Sequence, residues 1–278
     1  MIYSYLISCS DGRKTDEKEQ IIQLKKRLIA IGCKAFESKC IFAVDGSIGA
    51  GDAIKRASEL NRCFADKRIS HIFDISGGDI SNEILPYLDY NTIASSRAVF
   101  WGYSDLTCII NAIYAKTGKM SLLYQIRNIL HESRKMQEKV GGYLRGDGEE
   151  LFRINGHYIN GKEMSGVVVG GNIRCFLKLA GTEYFPDTKG KILLIESLSG
   201  GCARMTAYLS QLRQLGVFNK INGIILGTFS QMEKDNLSPT MENLVLTATE
   251  GKLPIYKTQE IGHSPSSKAI VIGKEWNL

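Results

Sequence analysis

The chain has 278 residues, 44% of them hydrophobic and 23% charged, and a formal net charge of +6. That length is too great for a small stapled domain and fits two modest domains, and the apolar content excludes wholesale disorder. No apolar run approaches the roughly 18 residues of a membrane helix, no heptad or longer repeat recurs, and no Lys/Arg tract carries interleaved aromatics, so neither a membrane nor a nucleic-acid partner is expected.

The first half alternates strands and helices. Tyr3 to Ser8 reads as a strand running into a turn at Ser10-Asp11-Gly12. Apolar residues at 21, 22, 24, 28, 29 and 31 predict an amphipathic helix over 18–31. A short strand follows at 33–36, a helix at 51–66, and a strand at 70–75 that ends in Gly77-Gly78. A further helix begins at Asn82, a strand covers 98–101, and a strongly apolar helix runs from Asp105 to Thr117 and stops at Gly118. This alternation predicts a parallel sheet with helices on both faces.

Residues 132–161 change character: they are charged, Gly-rich and without a long apolar run, and they read as an interdomain connection with short strands near its end. Strands then follow at 167–169, 191–195, 223–226, 255–258 and 269–272, with helices at 202–215 and 240–249. The expected organisation is an N-terminal α/β domain of Rossmann or flavodoxin-like type over 1–135, a linker over 136–160, and a mixed α/β domain over 161–278, with the active site in the cleft between the two.

Seven Cys are present, an odd number with no C-x-x-C pair, which disfavours a disulfide framework and a zinc knuckle. They are expected to act as small buried hydrophobes in a reducing compartment. Leu6-Ile7-Ser8-Cys9 has the outline of a lipoprotein cleavage box, but the start carries no positive region and no sustained apolar core, so a first β-strand and a cytoplasmic protein are expected.

The segment Val99-Phe100-Trp101-Gly102-Tyr103-Ser104-Asp105 takes a strand into a single Ser directly before an apolar helix. That is the layout of a nucleophile elbow, although Leu106 stands where G-x-S-x-G has its second Gly. Locally, the plainer reading of Ser104 is a helix N-cap, with Asp105 in the first turn. Gly77-Gly78 at a strand's carboxyl end could offer backbone N–H groups to a ligand, or form an ordinary βα turn. Glu196 ends an apolar strand and needs a partner. Of the four His, His71 lies in an apolar strand, His131 follows a helix-like stretch and His157 sits in a turn. His263, between Gly262 and Ser264-Pro265 in a loop, is the best candidate base.

Taken together, several ordered motifs resemble the LD-carboxypeptidase family of serine peptidases, which includes muramoyltetrapeptide carboxypeptidases and microcin C immunity peptidases. They are Ser76-Gly77-Gly78 with the following Leu85-Pro86-Tyr87-Leu88-Asp89, Gly102-Tyr103-Ser104-Asp105, Gly170-Gly171-Asn172, Gly181-Thr182-Glu183-Tyr184, Gly190 to Glu196, Gly223 to Gly227, and Gly262-His263. The resemblance implies a triad of Ser104 as nucleophile, His263 as base and Glu196 as orienter. It implies an oxyanion hole from the N–H groups of Asp105 and of Gly77 or Gly78, with Asn172 and Asp79 assigned to substrate contact. No metal or organic cofactor is implied. The implied activity is hydrolysis of the amide bond to a C-terminal D-amino acid in a murein-type peptide, as in peptidoglycan recycling. The alternatives are an immunity-type hydrolase of a peptidyl-nucleotide and a non-catalytic peptide-binding relative. The partner expected is a small peptide substrate, and a homodimer is kept among the expectations. The sequence departs from the family in Ile7-Ser8-Cys9-Ser10, in Ser197 to Gly201, and in lacking a Gly-Pro turn after Gly118.

Overall fold

The computed structural model describes residues 1–131 and 134–278. Two six-stranded sheets organise the chain. The first is built from β1 (Ile2–Ile7), β2 (Cys33–Glu37), β3 (His71–Asp74), β4 (Val99–Gly102) and β5 (Ser121–Leu123). These five run parallel in the order β5-β4-β3-β1-β2. Between them lie α1 (Lys18–Ala30), α2 (Ala53–Ala65), α3 (Tyr90–Ser95) and α4 (Thr107–Thr117). The stretch expected to begin a helix at Asn82 forms a 3-10 helix over Ser81–Tyr87 with Pro86 inside it. Proline lacks the N–H that an α-turn would use.

The second half contributes α5 (Arg134–Arg145), β6 (His157–Asn160), β7 (Ser165–Asn172), α6 (Ile173–Leu177), β8 (Ile192–Ser197), α7 (Cys202–Gln214), β9 (Gly223–Phe229), α8 (Ser230–Lys234), α9 (Met241–Ala248), β10 (Ile255–Lys257), β11 (Ile270–Ile272) and β12 (Glu275–Asn277). Strands β7-β8-β9-β10 are parallel, and β12 and β6 close the two edges antiparallel. Strand β11 leaves this unit and pairs antiparallel with β5 at the edge of the first sheet. The C-terminal segment therefore stitches the two sheets together.

Within the segment read as a connection, 134–145 is helical and 157–160 is a strand; residues 132 and 133 lie outside the described residues. The helix escapes the eye because its buried face is one narrow stripe, Met136, Val140 and Leu144, and because Gly141-Gly142 reads as a breaker. In place, a Cβ on Gly141 would lie 3.1 Å from the Cβ of Ile31, so the small residue lets α5 approach the end of α1.

Helix α4 explains why its sequence is apolar all round. Thr107 to Ile113 are buried, because the helix lies between the first sheet and β7 of the second. Each such aliphatic side chain contributes about 1.5–3 kcal/mol on burial. Six of the seven cysteines are buried and all are free. Among the described residues no helix is long and apolar enough to cross a membrane.

Candidate active site

The site residues gather where the parallel strands of both sheets end, the usual ligand crevice of open α/β sheets. From the first sheet, β4 delivers Tyr103 and Ser104. Ser104 has φ 57°, a left-handed backbone costly for any residue with a Cβ. It makes no side-chain cap bond; the first helical turn instead closes through Leu106 N–H to the Tyr103 carbonyl at 3.1 Å. Among the described residues the N-cap alternative for Ser104 thus has no bond behind it, and a left-handed turn of this kind is the backbone a nucleophile elbow would need.

Strand β3 ends in the buried Asp74, whose carboxylate accepts from Cys9 N–H (2.8 Å), Ser76 N–H (2.8 Å) and the Ser76 hydroxyl (2.5 Å). Burial pushes the Asp74 carboxyl up, against the pull of these donors. This knot fixes the start of the Gly77-Gly78-Asp79 loop. Gln125 donates to the Ser76 carbonyl at 3.2 Å and holds the same loop from the other side. Among the described residues the N–H groups of Gly77 and Gly78 donate to no acceptor within the chain.

From the second sheet, Glu196 ends β8 fully buried, beside Asn172 in register on β7. His263 lies in the loop before β11, with Nδ1 2.8 Å from Glu196 Oε2. Among the described residues neither imidazole nitrogen and neither Glu196 oxygen makes an aligned hydrogen bond, so the 2.8 Å approach is a close contact, not a formed bond, and Nε2 has no partner. The Tyr103 ring packs edge-on against the imidazole at 5.0 Å and 70°, so the residue next to Ser104 touches His263. Burial and then the nearby Glu196 charge push the Tyr103 phenol upward.

Asp105 places its backbone in the first turn after Ser104 and sends its carboxylate into the protein. There it accepts from the Ser10 hydroxyl (2.7 Å) and Ser81 N–H (2.8 Å) and pairs with Lys178 at 2.7 Å. Burial would raise the Asp105 carboxyl, but Lys178 and these donors outweigh it and hold it below its ordinary value. Asn172 caps α6, with its own N–H donated to Thr107 Oγ1 at 3.1 Å. Asp79 pairs with Arg174 and Lys178. The remaining histidines lie elsewhere: His71 is buried in β3, while His131 and His157 are exposed.

The sequence reading overlooked the residues that bind the two halves at the site. Asn111 of α4 exchanges two 2.8 Å bonds with the Gly170 backbone of β7. The legible signal was a lone amide in an otherwise apolar helix, which needs a buried partner. Among the described residues no group of three His, Cys, Asp or Glu side chains could hold a metal ion.

A Bacillus subtilis protein named "Probable murein peptide carboxypeptidase" is 28% identical over 242 residues, covering 81% of this chain and 73% of its own. The solved structure of the microcin C7 self-immunity protein MccF in complex with aspartyl sulfamoyl adenosine superposes with a TM-score of 0.86 at 21% identity, covering all of this chain and 92% of that one. The muramoyltetrapeptide carboxypeptidase of Oxalobacter formigenes superposes at 0.76 with 20% identity, covering 99% of this chain and 94% of that one. Residues 5–124 match the LD-carboxypeptidase N-terminal domain and residues 165–278 the LD-carboxypeptidase C-terminal domain. The chain belongs to the LD-carboxypeptidase family of peptidases.

Proposed function

We propose that this protein is a serine L,D-carboxypeptidase that releases a C-terminal D-amino acid from a murein-type peptide, in the cytoplasm and in the service of cell-wall recycling. The observation that carries the reading is the Glu196–His263 pair, 2.8 Å apart, with the ring of Tyr103, the residue before the Ser104 held at φ 57°, packed on the imidazole. His263 Nε2 takes the proton of the Ser104 hydroxyl as its oxygen attacks the amide carbonyl. The oxyanion that forms is met by the N–H groups of Asp105 and of Gly77 or Gly78. His263 then gives its proton to the departing amine, and water hydrolyses the acyl-enzyme with His263 again as base. Glu196 fixes the imidazole and stabilises its cationic form. Asn172 and Asp79 are assigned to substrate contact.

A second reading takes a peptidyl-nucleotide or related amide as the substrate, since the MccF structure of this fold holds aspartyl sulfamoyl adenosine. One experiment separates them. Incubation with a murein tetrapeptide ending in D-Ala, its all-L counterpart and a peptidyl-adenylate analogue, followed by mass spectrometry, should show release of D-Ala alone. Cleavage confined to the nucleotide conjugate would replace the first reading by the second, and no cleavage of any amide would sink both.

A further inference from the structure

Two loops would supply the backbone donors of the oxyanion hole, and both end on one side chain. Lys178, at the C-cap of α6, donates from Nζ to the Asp79 carbonyl at 2.7 Å and pairs with the Asp79 carboxylate at 3.4 Å. The same ammonium lies 2.7 Å from Asp105 Oδ1, and the Asp105 carboxylate is fully buried. Arg174, one turn earlier, pairs with the same Asp79 and donates from Nη2 to the Gly78 carbonyl at 3.3 Å. Helix α6 follows β7 directly and belongs to the second sheet's unit, whereas Gly78, Asp79 and Asp105 belong to the first.

The geometry points to Lys178 as a positioning residue that completes the oxyanion hole, with Arg174 as its auxiliary. It sets the spacing between the Gly77-Gly78 loop and the Asp105 turn, and it does so from the half of the chain that carries Glu196 and His263. Hydrogen-bond donors stabilise an oxyanion only when aimed in advance to within a fraction of an ångström. A cation shared between the two loops provides that aim, and it makes the hole depend on how the two halves sit together. A pairing that served stability alone would not need to join both donor loops. This inference rests on Ser104 being the nucleophile.

The test uses a fluorophosphonate on the full-length protein. Ser104 Oγ attacks phosphorus, fluoride leaves, and His263 takes the serine proton, so labelling reports the hole without requiring the natural substrate. Wild type should be labelled and Ser104→Ala should not. Lys178→Met should be labelled roughly tenfold to a hundredfold more slowly, the range set by misplacing a donor rather than deleting it, while circular dichroism shows it folded at the assay temperature. Lys178→Arg should recover part of the rate, because a guanidinium can reach both carboxylates. A folded Lys178→Met labelled at the wild-type rate would overturn the inference. Should Lys178→Met fail to fold, Arg174→Met decides: its side chain is partly exposed and its polar contacts are confined to Asp79 and Gly78, so a several-fold slower rate supports the assignment and an unchanged rate overturns it. An unlabelled wild type would sink the serine reading itself, a result distinct from equal labelling of wild type and variant.

Discussion

Glu196 Oε2 lies 2.8 Å from His263 Nδ1, and the two residues come from different elements, the end of β8 and the loop before β11. Glu196 is fully buried, so its carboxylate has little besides this imidazole to neutralise it. Such a pair acts as one device. Glu196→Gln keeps the shape but removes the charge that stabilises an imidazolium, and kcat should fall about a hundredfold to ten-thousandfold. His263→Ala should cost at least as much, and adding Glu196→Gln to it should cost almost nothing more. Kinetics of the two single variants and the double decide it: losses that multiply would sink the pairing, and a Glu196→Gln kcat within a few-fold of wild type would show that Glu196 serves only its strand.

The backbone at Ser104 separates activity from stability. A side chain at φ 57° costs about 1–2 kcal/mol relative to the right-handed helical region, and Gly escapes that cost. Ser104→Ala and Ser104→Gly should both abolish amide hydrolysis and fluorophosphonate labelling. Of the two, Ser104→Gly should be the more stable by about 1 kcal/mol, read from urea unfolding midpoints at equal slope. A Gly variant less stable than the Ala variant would mean the turn is not strained.

Much of this site was legible in the chain because local chemistry wrote it. A strand, then Tyr103-Ser104, then an apolar helix puts a hydroxyl just past the carboxyl end of a sheet strand. Glu196 after Leu193-Leu194-Ile195 could only be a buried carboxylate. What the sequence hid are choices made between distant segments. Lys178 and Arg174 look like ordinary surface cations on a helix; only the fold brings them to Asp79 and Asp105, 73 to 99 residues away. The strand β11 is three apolar residues that could edge either sheet, and its pairing with β5 is settled by packing. Helix α5 hides behind Gly141-Gly142 because a tight approach to Ile31, not local propensity, accounts for the glycine.

Of the three histidines outside the site, His71 should contribute to the loss of stability in acid. His71 is 8% exposed in β3, and its Nδ1 accepts from Trp101 Nε1–H at 3.2 Å, so the neutral form is the one that fits. Burial pushes its pKa down from 6.5 to about 4. Between those two values the unfolded chain binds a proton that the folded one refuses, so stability is lost as pH falls through this window. The loss attributable to His71 approaches about 3 kcal/mol at pH 4. The lowered Asp105 acts with the same sign but at more acidic pH, and the raised Asp74 acts with the opposite sign. The comparison is therefore wild type against His71→Gln, whose amide oxygen can still accept from Trp101. Unfolding free energies at pH 7 and pH 4.5 should show a flatter pH dependence for the variant, and parallel curves would contradict the assignment.

The two glycines of the donor loop are not equivalent. A Cβ on Gly77 would meet nothing within 4 Å, whereas a Cβ on Gly78 would lie 2.0 Å from the Asp11 carboxylate. Gly78 also has φ +128°, a region that L side chains rarely adopt. Asp11 itself cannot readily withdraw: its N–H donates to the Gly77 carbonyl at 3.1 Å and its Oδ1 accepts from Asp79 N–H at 3.2 Å. An added methyl at 78 must therefore push the whole Gly77-Gly78-Asp79 loop, and with it the partners Arg174 and Lys178. Gly77→Ala should fold and unfold like wild type, and any loss of activity in it would come from a methyl standing in the crevice, felt in KM. Gly78→Ala should lower kcat by roughly a hundredfold, the range for losing one oxyanion donor, and should lower stability by about 1–3 kcal/mol. Measuring kcat, KM and thermal unfolding for both variants tests the claim. A Gly78→Ala enzyme with wild-type kcat would mean that this loop can shift without consequence, and the second donor would then have to be sought elsewhere in the crevice.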